Sequence, residues 1–565
     1  MRRREATVLV FTVTILVSHA RADEGMWPFN MLPKAVWKVK YGFEPSDAWI
    51  EHVQKSCVRI GAGGSGSFVS PDGLIMTNHH VGSDAIADVS TADHDYMRDG
   101  FYARTHADEL KCPHMDFSVL MHIDDVTARV NAKVTPSMPP SDTQAARKKA
   151  MAEIEKEAKG KSDLHPEIVT LYQGARYHLY QYKRYTDVRL VFAPEAKIAF
   201  FGGDNDNFEY PRFNLDCCFF RAYKNDKPIN VEHYLKWSDA GPQDGETIFI
   251  AGHPGRTQRL YTMDHLRFLR DVYYPMMLSA YNEREVALLQ FITRSAEFDR
   301  IGREDLYSVQ NSRKAFDGII AGLLDERLMK IKQADEDKLR AFIKKRAHSG
   351  KACAVALKDL SDAVDASRGY YREYFFAESR RTNLCRLFDI ARKLVRAADE
   401  RRKPDGERLD EYRDAKLSTL EEDLFSTAPI YDDLERFKLT DSLLRMGRTL
   451  GGEHVLVKSA FAGKDAATRA AELIGGTKLK DVAFRRILYE GGSAAIAEDG
   501  DPMIRLARDL DPIARKLRKQ YENGFESVER SAYAKIAQAR FYLFGDSVYP
   551  DAPFTLRLND GPVKG

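Results

Sequence analysis

The sequence predicts an α+β protein in which a β-rich part is followed by a large helical part. From about residue 37 to 261, short apolar runs such as DVRLVFAP and ETIFIAGHPG are broken by Gly, Pro, Asn and Asp, which is typical of many short strands. From about residue 263 to 544, apolar residues recur three and four positions apart, which is the period of amphipathic helices. The chain of 565 residues is long enough for each part to bury its own core.

Residues 1–22 predict a secretory signal peptide. Three arginines precede a largely apolar run from Ala6 to Val17, and Ala20-Arg21-Ala22 has the small-x-small pattern of a cleavage site. A membrane anchor is the alternative, but it needs about 20 apolar residues, and this run is shorter. We therefore expect an exported protein whose mature chain has no membrane span.

The β-rich part is predicted to span residues 23–265 and to contain one helical insertion. Residues 141–162 open with the Ser-x-x-Gln capping box SDTQ, and the segment carries charges on most faces. We expect this helix to lie on the surface.

The helical part is predicted to span residues 266–545, between stretches rich in turn residues. Residues 546–565 return to strand-like alternation, as in FTLRLNDGPVKG. Because the sequence ends soon after this strand begins, we expect the strand to remain unpaired and to expose a sheet edge.

The charge balance excludes a partner recruited by net charge alone. Lys and Arg total 86 against 84 Asp and Glu, which leaves a net charge of +2 and no strong field for nucleic acid or an acidic membrane. The six cysteines could form disulfides in an exported chain, but their spacing does not fit a CxxC zinc site. Cys217 and Cys218 are adjacent, which disfavours a bridge between them.

The most specific chemical signal is a pair of adjacent histidines. After the turn Pro71-Asp72-Gly73, the run LIMT is predicted to be a strand that brings His79 and His80 to its exit. A structural imidazole is one interpretation, and a zinc or copper site is another, although no HExxH or similar ligand set lies near. The third is a general base, which needs a carboxylate at one ring nitrogen and a Ser or Cys at the other.

The order of strand, small-residue turn, strand and Thr77-Asn78-His79-His80 resembles the first barrel of chymotrypsin-like serine peptidases, with His80 as the base. Four segments make the resemblance more specific. They are DEGMW, GSFVSPDGLIMTNHHVG, FFGGDNDNFEYPRFNLD and AGHPGRTQRLYT, in this order and before the helical block. From about residue 23 to 565 the chain is similar to the S46 family of bacterial dipeptidyl-peptidases.

This resemblance implies a chymotrypsin-like double β-barrel with a large inserted all-helical domain that caps the cleft. It also implies a location in the periplasm, the cell envelope or outside a bacterium. Peptides with a free N-terminus would be the substrates, without a cofactor or metal, and a homodimer is compatible with the family.

The resemblance assigns roles residue by residue. It makes His80 the general base and Asp216, in NLDCCFFR, the carboxylate that orients it. Asn207 and Phe208 match an Asn-Trp pair that holds the free amino end of the substrate, and Phe keeps the aromatic wall but lacks the indole N–H. Asn311, in QNSRKAFDG, matches an asparagine of the helical domain that also binds the amino group. A blocked substrate would lose these hydrogen bonds.

Without the resemblance, the residues favour a different carboxylate. Asp116, in MDFSVL, begins an alternating apolar strand and lies nearer to His80 in the sequence. Catalytic triads are defined by geometry and not by chain order, so the resemblance moves the expectation to Asp216. Asp204 and Asp206 have the look of a calcium loop, but the rest of an EF-hand is absent, and we interpret them as turn-forming groups that support the site.

The sequence departs from the family pattern at the nucleophile. The family serine lies in a GNSGS-type segment late in the chain, and nothing similar occurs between Asp560 and Gly565. Ser65 and Ser67 match the strand before the histidines instead. We expect a chain truncated before its serine, which would be inactive as written.

Two functions of different classes follow. The leading one is an exported serine exopeptidase that releases N-terminal dipeptides through a Ser-His-Asp acyl-enzyme mechanism. The alternative is a non-catalytic peptide-binding protein with the same cleft, and a metal-dependent hydrolase is a third.

Overall fold

The computed structural model describes residues 24–61, 63–113, 115–346, 349–378, 384–545 and 548–564. The predicted signal peptide lies outside the described residues. The strands are β1 (Trp27–Pro28), β2 (Cys57–Ile60), β3 (Gly64–Phe68), β4 (Leu74–Thr77), β5 (Phe101–Tyr102), β6 (Leu110–Lys111), β7 (Phe117–Asp125), β8 (His165–Leu171), β9 (Arg176–Tyr185), β10 (Asp187–Ala193), β11 (Cys218–Lys224), β12 (Lys227–Pro228), β13 (Thr247–Gly252) and β14 (Arg557–Pro562).

The helices that accompany the sheets are α1 (Lys34–Tyr41), α2 (Asp47–Ser56), α3 (His79–Val89), α4 (Tyr96–Asp99), α5 (Thr127–Val130), α6 (Pro140–Lys161), α7 (Ala196–Ala199) and α8 (Gly203–Asp206). The helical region contains α9 (Met263–Phe268), α10 (Tyr274–Ile292), α11 (Ala296–Leu324), α12 (Glu326–Lys344), α13 (Ser349–Ser367), α14 (Tyr371–Glu378), α15 (Arg386–Glu400), α16 (Leu417–Leu424), α17 (Asp432–Leu450), α18 (Val455–Phe461), α19 (Ala466–Gly476), α20 (Val482–Glu498), α21 (Pro502–Tyr521) and α22 (Ser527–Phe544).

The larger sheet has eleven strands and antiparallel pairing throughout. Its main path runs β5-β10-β11-β4-β3-β2-β7-β9-β8, while β6 and β12 pair with β10 and β11. Alternating apolar side chains from these strands form one core, which includes Val58, Ile75, Phe117, Leu190 and Phe220. The short, turn-separated apolar runs of the sequence thus become neighbouring strands of a single sheet.

The hairpin of β3 and β4 forms where the sequence places a Pro-Asp-Gly turn. Val69 N–H donates to the carbonyl of Leu74 at 2.9 Å, and Phe68 lies opposite Ile75. Gly73 has a φ of +75°, and a Cβ there would lie 2.7 Å from Ile229 Cγ1. Only glycine satisfies both the left-handed backbone and this close approach.

A second sheet of three strands has the order β1-β14-β13, and both of its ladders are antiparallel. The prediction that the last strand remains unpaired is therefore wrong, because β14 lies between two partners. Trp27 pairs with Leu558, and Thr247 pairs with Pro562. The buried side chains of Trp27 and Leu558 belong to one core that also contains residues of the larger sheet.

Helix α6 differs from the expected surface helix. It begins at Pro140, one residue before the predicted start, and no side chain caps its N-terminus, so the predicted capping box does not form. Its Met151 and Ile154 are buried in a core with Val130 and Leu179, and Glu155 accepts a hydrogen bond from Ile168 N–H at 2.9 Å. The helix packs against β8 and α22 and so connects the larger sheet to the helical region.

The helices from α9 to α22 form a large helical region, which confirms the predicted mixed α+β class, and both sheets are antiparallel. Two extensive apolar cores lie in this region. One contains Leu339, Leu360 and Tyr533, and the other contains Leu387 and Leu506. Among the described residues, no helix is both long and apolar enough to span a bilayer, and all six cysteines are free thiols.

Candidate active site

The register of β4 and β11 brings the predicted base and carboxylate together. Thr77, at the end of β4, lies opposite Cys218, at the start of the antiparallel strand β11. His80 follows the first strand and Asp216 precedes the second, so both residues lie at the same edge of the sheet. His80 Nδ1 lies 2.6 Å from Asp216 Oδ2.

Asp216 holds both the backbone and the side chain of His80. Its Oδ1 accepts a hydrogen bond from His80 N–H at 3.0 Å, in the first turn of α3, while Oδ2 faces the imidazole. The carboxylate thus takes the place of a side-chain N-cap, since Asn78, the residue before the helix, donates instead to Asp216 O and Oδ2 at 3.1 and 3.3 Å. Burial opposes ionisation of Asp216, but the hydrogen bond and charge of His80 outweigh it and lower the pKa of the carboxyl.

The two histidines of the motif have different environments. The His79 side chain is buried, and desolvation lowers its pKa, which favours the neutral imidazole. The His80 side chain is 65% exposed, against 16% for Asp216. The Asp216 carboxylate can only accept a hydrogen bond, so it favours the His80 tautomer that carries its proton on Nδ1. In this tautomer Nε2 is an acceptor, on a side chain that is open to solvent.

The alternative carboxylate, Asp116, has other partners. Arg184 Nε donates to Asp116 Oδ2 at 3.3 Å, and Ser118 Oγ lies 3.5 Å from the same oxygen. Arg184 also pairs with Glu422, which places Asp116 in an ion-pair group between the larger sheet and α16. The structure brings Asp216, and not Asp116, to His80.

The two predicted amide side chains meet across the two parts of the chain. Asn207 lies in the loop after α8 and is buried, and its Nδ2 donates to Oδ1 of Asn311, on α11, at 3.0 Å. Arg212 Nη1 donates to Asn207 Oδ1 at 3.1 Å. Arg212 was not predicted from the sequence, although it lies only five residues after Asn207.

Phe208 is exposed and has an unusual backbone conformation. Its side chain is 62% exposed, and its φ of +63° is in the left-handed region that a bulky residue rarely occupies. Tyr210 and Phe213 in the same segment are also exposed. The segment from Asn207 to Asp216 therefore presents aromatic side chains to solvent between the amide pair and the histidine.

Helix α11 contacts the histidine helix as well as the amide loop. Ser83, one turn after His80, has its Oγ 3.0 Å from His80 O and 2.8 Å from Oε1 of Glu304, on α11. A hydroxyl carries one proton, so both contacts are hydrogen bonds only when the Glu304 carboxyl is protonated and donates to Ser83. The sequence signal is the separation of seven residues between Glu304 and Asn311, which are two turns apart on one face of the helix.

Glu304 is held in an environment that disfavours its charge. Burial, followed by the nearby charge of Asp84, raises its pKa to about 8, and its Oε2 is buried without a hydrogen-bond partner. Burial and Asp84 also raise the pKa of Asp88 to about 6. Lys438 and Arg386 oppose the raised pKa of Asp84 and of Asp88, respectively, and Lys438 pairs with Asp305 at 2.8 Å. The contact between α3 and α11 thus contains a buried carboxyl group, on Glu304, whose environment favours its protonated form.

We expect Glu304→Gln to change the pH dependence of stability. Between about pH 4.5 and 8 the folded chain keeps a proton that the unfolded chain releases, so the contribution of Glu304 to stability falls as the pH rises through this window. Glutamine reproduces the protonated form, because its Nε2 can donate to Ser83. At pH 8.5 the variant should need more urea to unfold, and its unfolding free energy should exceed that of the unchanged protein by about 2 to 4 kcal/mol. At pH 5 the unfolding free energy should change little.

Glu297→Gln is the matched control, since Glu297 lies on the same helix, is half exposed and pairs with Arg300. It should shift the unfolding free energy by less than about 1 kcal/mol at either pH. An equal effect of Glu304→Gln at both pH values would contradict the protonated assignment.

The two remaining predicted acids lie beside the amide pair. Asp204 forms an ion pair with Arg313 on α11, and its backbone carbonyl accepts a hydrogen bond from Lys314 at 2.9 Å. Asp206 O accepts a hydrogen bond from Glu209 N–H at 3.0 Å, in a turn of the loop. Among the described residues, no group of three or more His, Cys, Asp or Glu side chains is arranged to hold a metal ion.

Three comparisons with known proteins match nearly the whole chain. The family model described as Peptidase S46 matches residues 22–565. The chain is 28% identical to dipeptidyl-peptidase 7 of Capnocytophaga gingivalis, across 100% of this chain and 81% of that protein. It is 27% identical to the Asp/Glu-specific dipeptidyl-peptidase of Shewanella putrefaciens, across 99% and 78%.

A solved structure with a similar fold is that of Porphyromonas endodontalis DPP11 in complex with the dipeptide Arg-Glu. The TM-score is 0.75 and the identity 23%, with 96% of this chain and 81% of that chain covered. The same protein with the dipeptide Arg-Asp gives the same TM-score.

Proposed function

The chain belongs to the peptidase S46 family, and from this membership we propose that it is a serine exopeptidase that removes dipeptides from the free N-terminus of peptides. The relatives named as dipeptidyl-peptidases support this proposal. The observation that carries it is the contact of His80 Nδ1 with Asp216 Oδ2 at 2.6 Å, which leaves the other ring nitrogen open.

The chemistry of this pair is that of a general base. His80 Nε2 would accept the proton of a serine hydroxyl as its oxygen attacks the carbonyl carbon of the second peptide bond, and would return that proton to the leaving amine. Water would then attack the acyl-enzyme and release the dipeptide, with Nε2 again accepting and returning a proton. Asp216 would hold the imidazole in position and stabilise the imidazolium.

The amide pair supports recognition of a free N-terminus. Asn207 and Asn311 are joined by a hydrogen bond between α11 and the loop after α8, and α11 also contacts the histidine helix through Glu304. The amide oxygens could accept hydrogen bonds from a peptide ammonium.

The architecture of the family completes the proposal. We propose that the larger sheet is the first of two chymotrypsin-like barrels, that the three-stranded sheet belongs to the second, and that residues 266–545 form a domain capping the cleft. Contacts of α11 with α3 and with the loop after α8 support the capping role. The pattern of residues 1–22 supports export to the cell envelope.

Because no GNSGS-type segment occurs late in these 565 residues, the function is tested with a gene product that carries the family serine. It is incubated with unblocked peptides of five to eight residues that vary at the second position. Mass spectrometry should detect N-terminal dipeptides, no release from N-acetylated peptides, and loss of release in His80→Ala. Release of single amino acids, or release that survives His80→Ala, would reject the proposal.

A second candidate is a peptide-binding protein without catalysis. The contact between Asn207 and Asn311 is compatible with this candidate, because a receptor for a peptide ammonium needs no catalytic serine. Binding of unblocked peptides without any dipeptide release would select this candidate.

A further inference from the structure

Two cations on α11 bind the loop that carries Asn207. This loop, residues 203–209, is called the amide loop below. Lys314 Nζ donates to the carbonyls of Asp204 and Asn205 at 2.9 and 2.6 Å and lies 3.5 Å from Glu209 Oε1. Arg313 Nη2 forms an ion pair with Asp204 Oδ2. The loop is thus attached to the helix through its backbone and through its first carboxylate.

Arg313 is held by three carboxylates at once. Besides Asp204, its Nε lies 2.6 Å from Glu285 Oε2 and its Nη1 lies 2.9 Å from Asp317 Oδ2. The side chains of Arg313, Asp204 and Glu285 are each about four-fifths buried. A planar guanidinium reaches all three carboxylates at ion-pair distance, although its buried Nε has no aligned hydrogen-bond acceptor. An ammonium would reach fewer of the oxygens.

Besides the two cations, Arg212 and Asn311 form hydrogen bonds to the amide loop through Asn207. Gly202, just before the loop, and Gly203, its first residue, have φ values of +81° and +60°, and Phe208, its next-to-last residue, is exposed and has a positive φ. Its helix, α8, is a single turn. The hydrogen bond between Asn207 and Asn311 joins two parts of the chain. A loop displacement of about 1 Å would break this bond, and the two side chains could then no longer bind one ammonium together.

We propose that Arg313 and Lys314 are positioning residues that clamp the amide loop onto α11, so that Asn207 and Asn311 form one receptor for the substrate ammonium. This proposal rests on the proposed function of the amide pair. Neither cation needs to touch the substrate, and their role is to fix the distance between two side chains that do.

The charges around Arg313 make a positioning role distinguishable from a direct effect of its charge on ammonium binding. The two cations face four carboxylates, on Asp204, Glu209, Glu285 and Asp317, so the cluster has a negative surplus. Removal of the Arg313 charge would increase this surplus and would strengthen the binding of an ammonium if charge alone mattered. If position matters, the same change weakens binding.

The first test needs no ligand. Hydrogen-deuterium exchange of the unliganded chain is measured for the unchanged protein, Arg313→Gln, Lys314→Met and the control Lys330→Met, whose ion pair with Glu326 is exposed on α12. The two clamp variants should exchange the amides of residues 203–209 at least tenfold faster, and the control should not. Unchanged exchange in both clamp variants would overturn the proposal.

The second test measures binding in a His80→Ala background, which prevents turnover. Fluorescence anisotropy compares a C-terminally labelled peptide with a free amino group and its N-acetyl form. Arg313→Gln should reduce the preference for the free amino group by about tenfold, and Arg313→Lys should recover only part of it. A preserved or increased preference in Arg313→Gln would overturn the clamp while leaving the amide pair intact.

The outcomes distinguish the role of the amide pair as a receptor from the role of the two cations as a clamp. Absence of any preference in the His80→Ala parent would reject the amide pair as a receptor, and with it the function of the clamp. Faster exchange in the variants would in that case show only that the cations restrain the loop. A preference in the parent that Arg313→Gln loses, together with faster exchange in both clamp variants, supports the clamp.

Discussion

Replacement of Asp216 by asparagine is expected to reduce dipeptide release by about 1,000- to 10,000-fold. The carboxylate accepts two hydrogen bonds from His80, one from the backbone N–H and one from Nδ1. The single carbonyl oxygen of an asparagine side chain cannot occupy both oxygen positions, and an amide N–H facing Nδ1 would select the wrong tautomer. The base would then present a protonated Nε2 to the serine.

Asp116→Asn is the matched control for this prediction. Asp116 is the carboxylate that the sequence favours without the family resemblance, and its partners are Arg184 and Ser118. Its replacement should change the rate of release by less than about threefold, since the group lies outside the base and carboxylate pair. Rates are compared by mass spectrometry at saturating peptide, with circular dichroism as a check on folding. A larger loss in Asp116→Asn than in Asp216→Asn would refute the assignment.

Replacement of either amide of the receptor should abolish most of the selectivity for a free N-terminus. Hydrogen bonds to a charged group contribute about 1.5 to 3 kcal/mol, so Asn207→Ala or Asn311→Ala should reduce the ratio of affinities for free and acetylated peptides by about 10- to 100-fold. The ratio is measured in the His80→Ala background by anisotropy. Affinity for the acetylated peptide should change little, because that peptide has no ammonium.

The double variant supplies a sharper criterion. Asn207 donates to Asn311, so each single replacement also disturbs the remaining amide. The combined effect of Asn207→Ala and Asn311→Ala should therefore be smaller than the sum of the two single effects. Asn523→Ala, at an exposed position in the helical region, is the control and should leave the ratio unchanged. Full additivity would indicate that the two amides bind the ligand independently.

The Pro-Asp-Gly turn and the apolar run after it were readable in the sequence because their signals are local. A turn needs particular residues at adjacent positions, and a strand needs apolar side chains with a short period. The same applies to the helical region, whose period of three and four extends over many turns. The placement of His80 after β4 follows from these local rules, while its catalytic role stays a prediction.

The residues that gather around His80 depend on contacts between distant parts of the chain. Asp116 and Asp216 both precede strands, and only the pairing of β4 with β11 places the second of them against the imidazole. Glu304, Arg313 and Lys314 lie more than 200 residues after His80 and reach the site through the orientation of one helix. No local period carries that information.

Pairing of the last strand illustrates the same division. The alternation of residues after Phe554 correctly indicated a strand, but its neighbour β1 lies about 530 residues earlier. The sequence by itself determined the types of the elements, the large helical region and the position of the histidine motif. Tertiary structure alone decided which strands pair with β14, which face of α6 is buried and which acid binds His80. The physical reason is that strand register and side-chain packing are set by contacts between segments far apart in the chain.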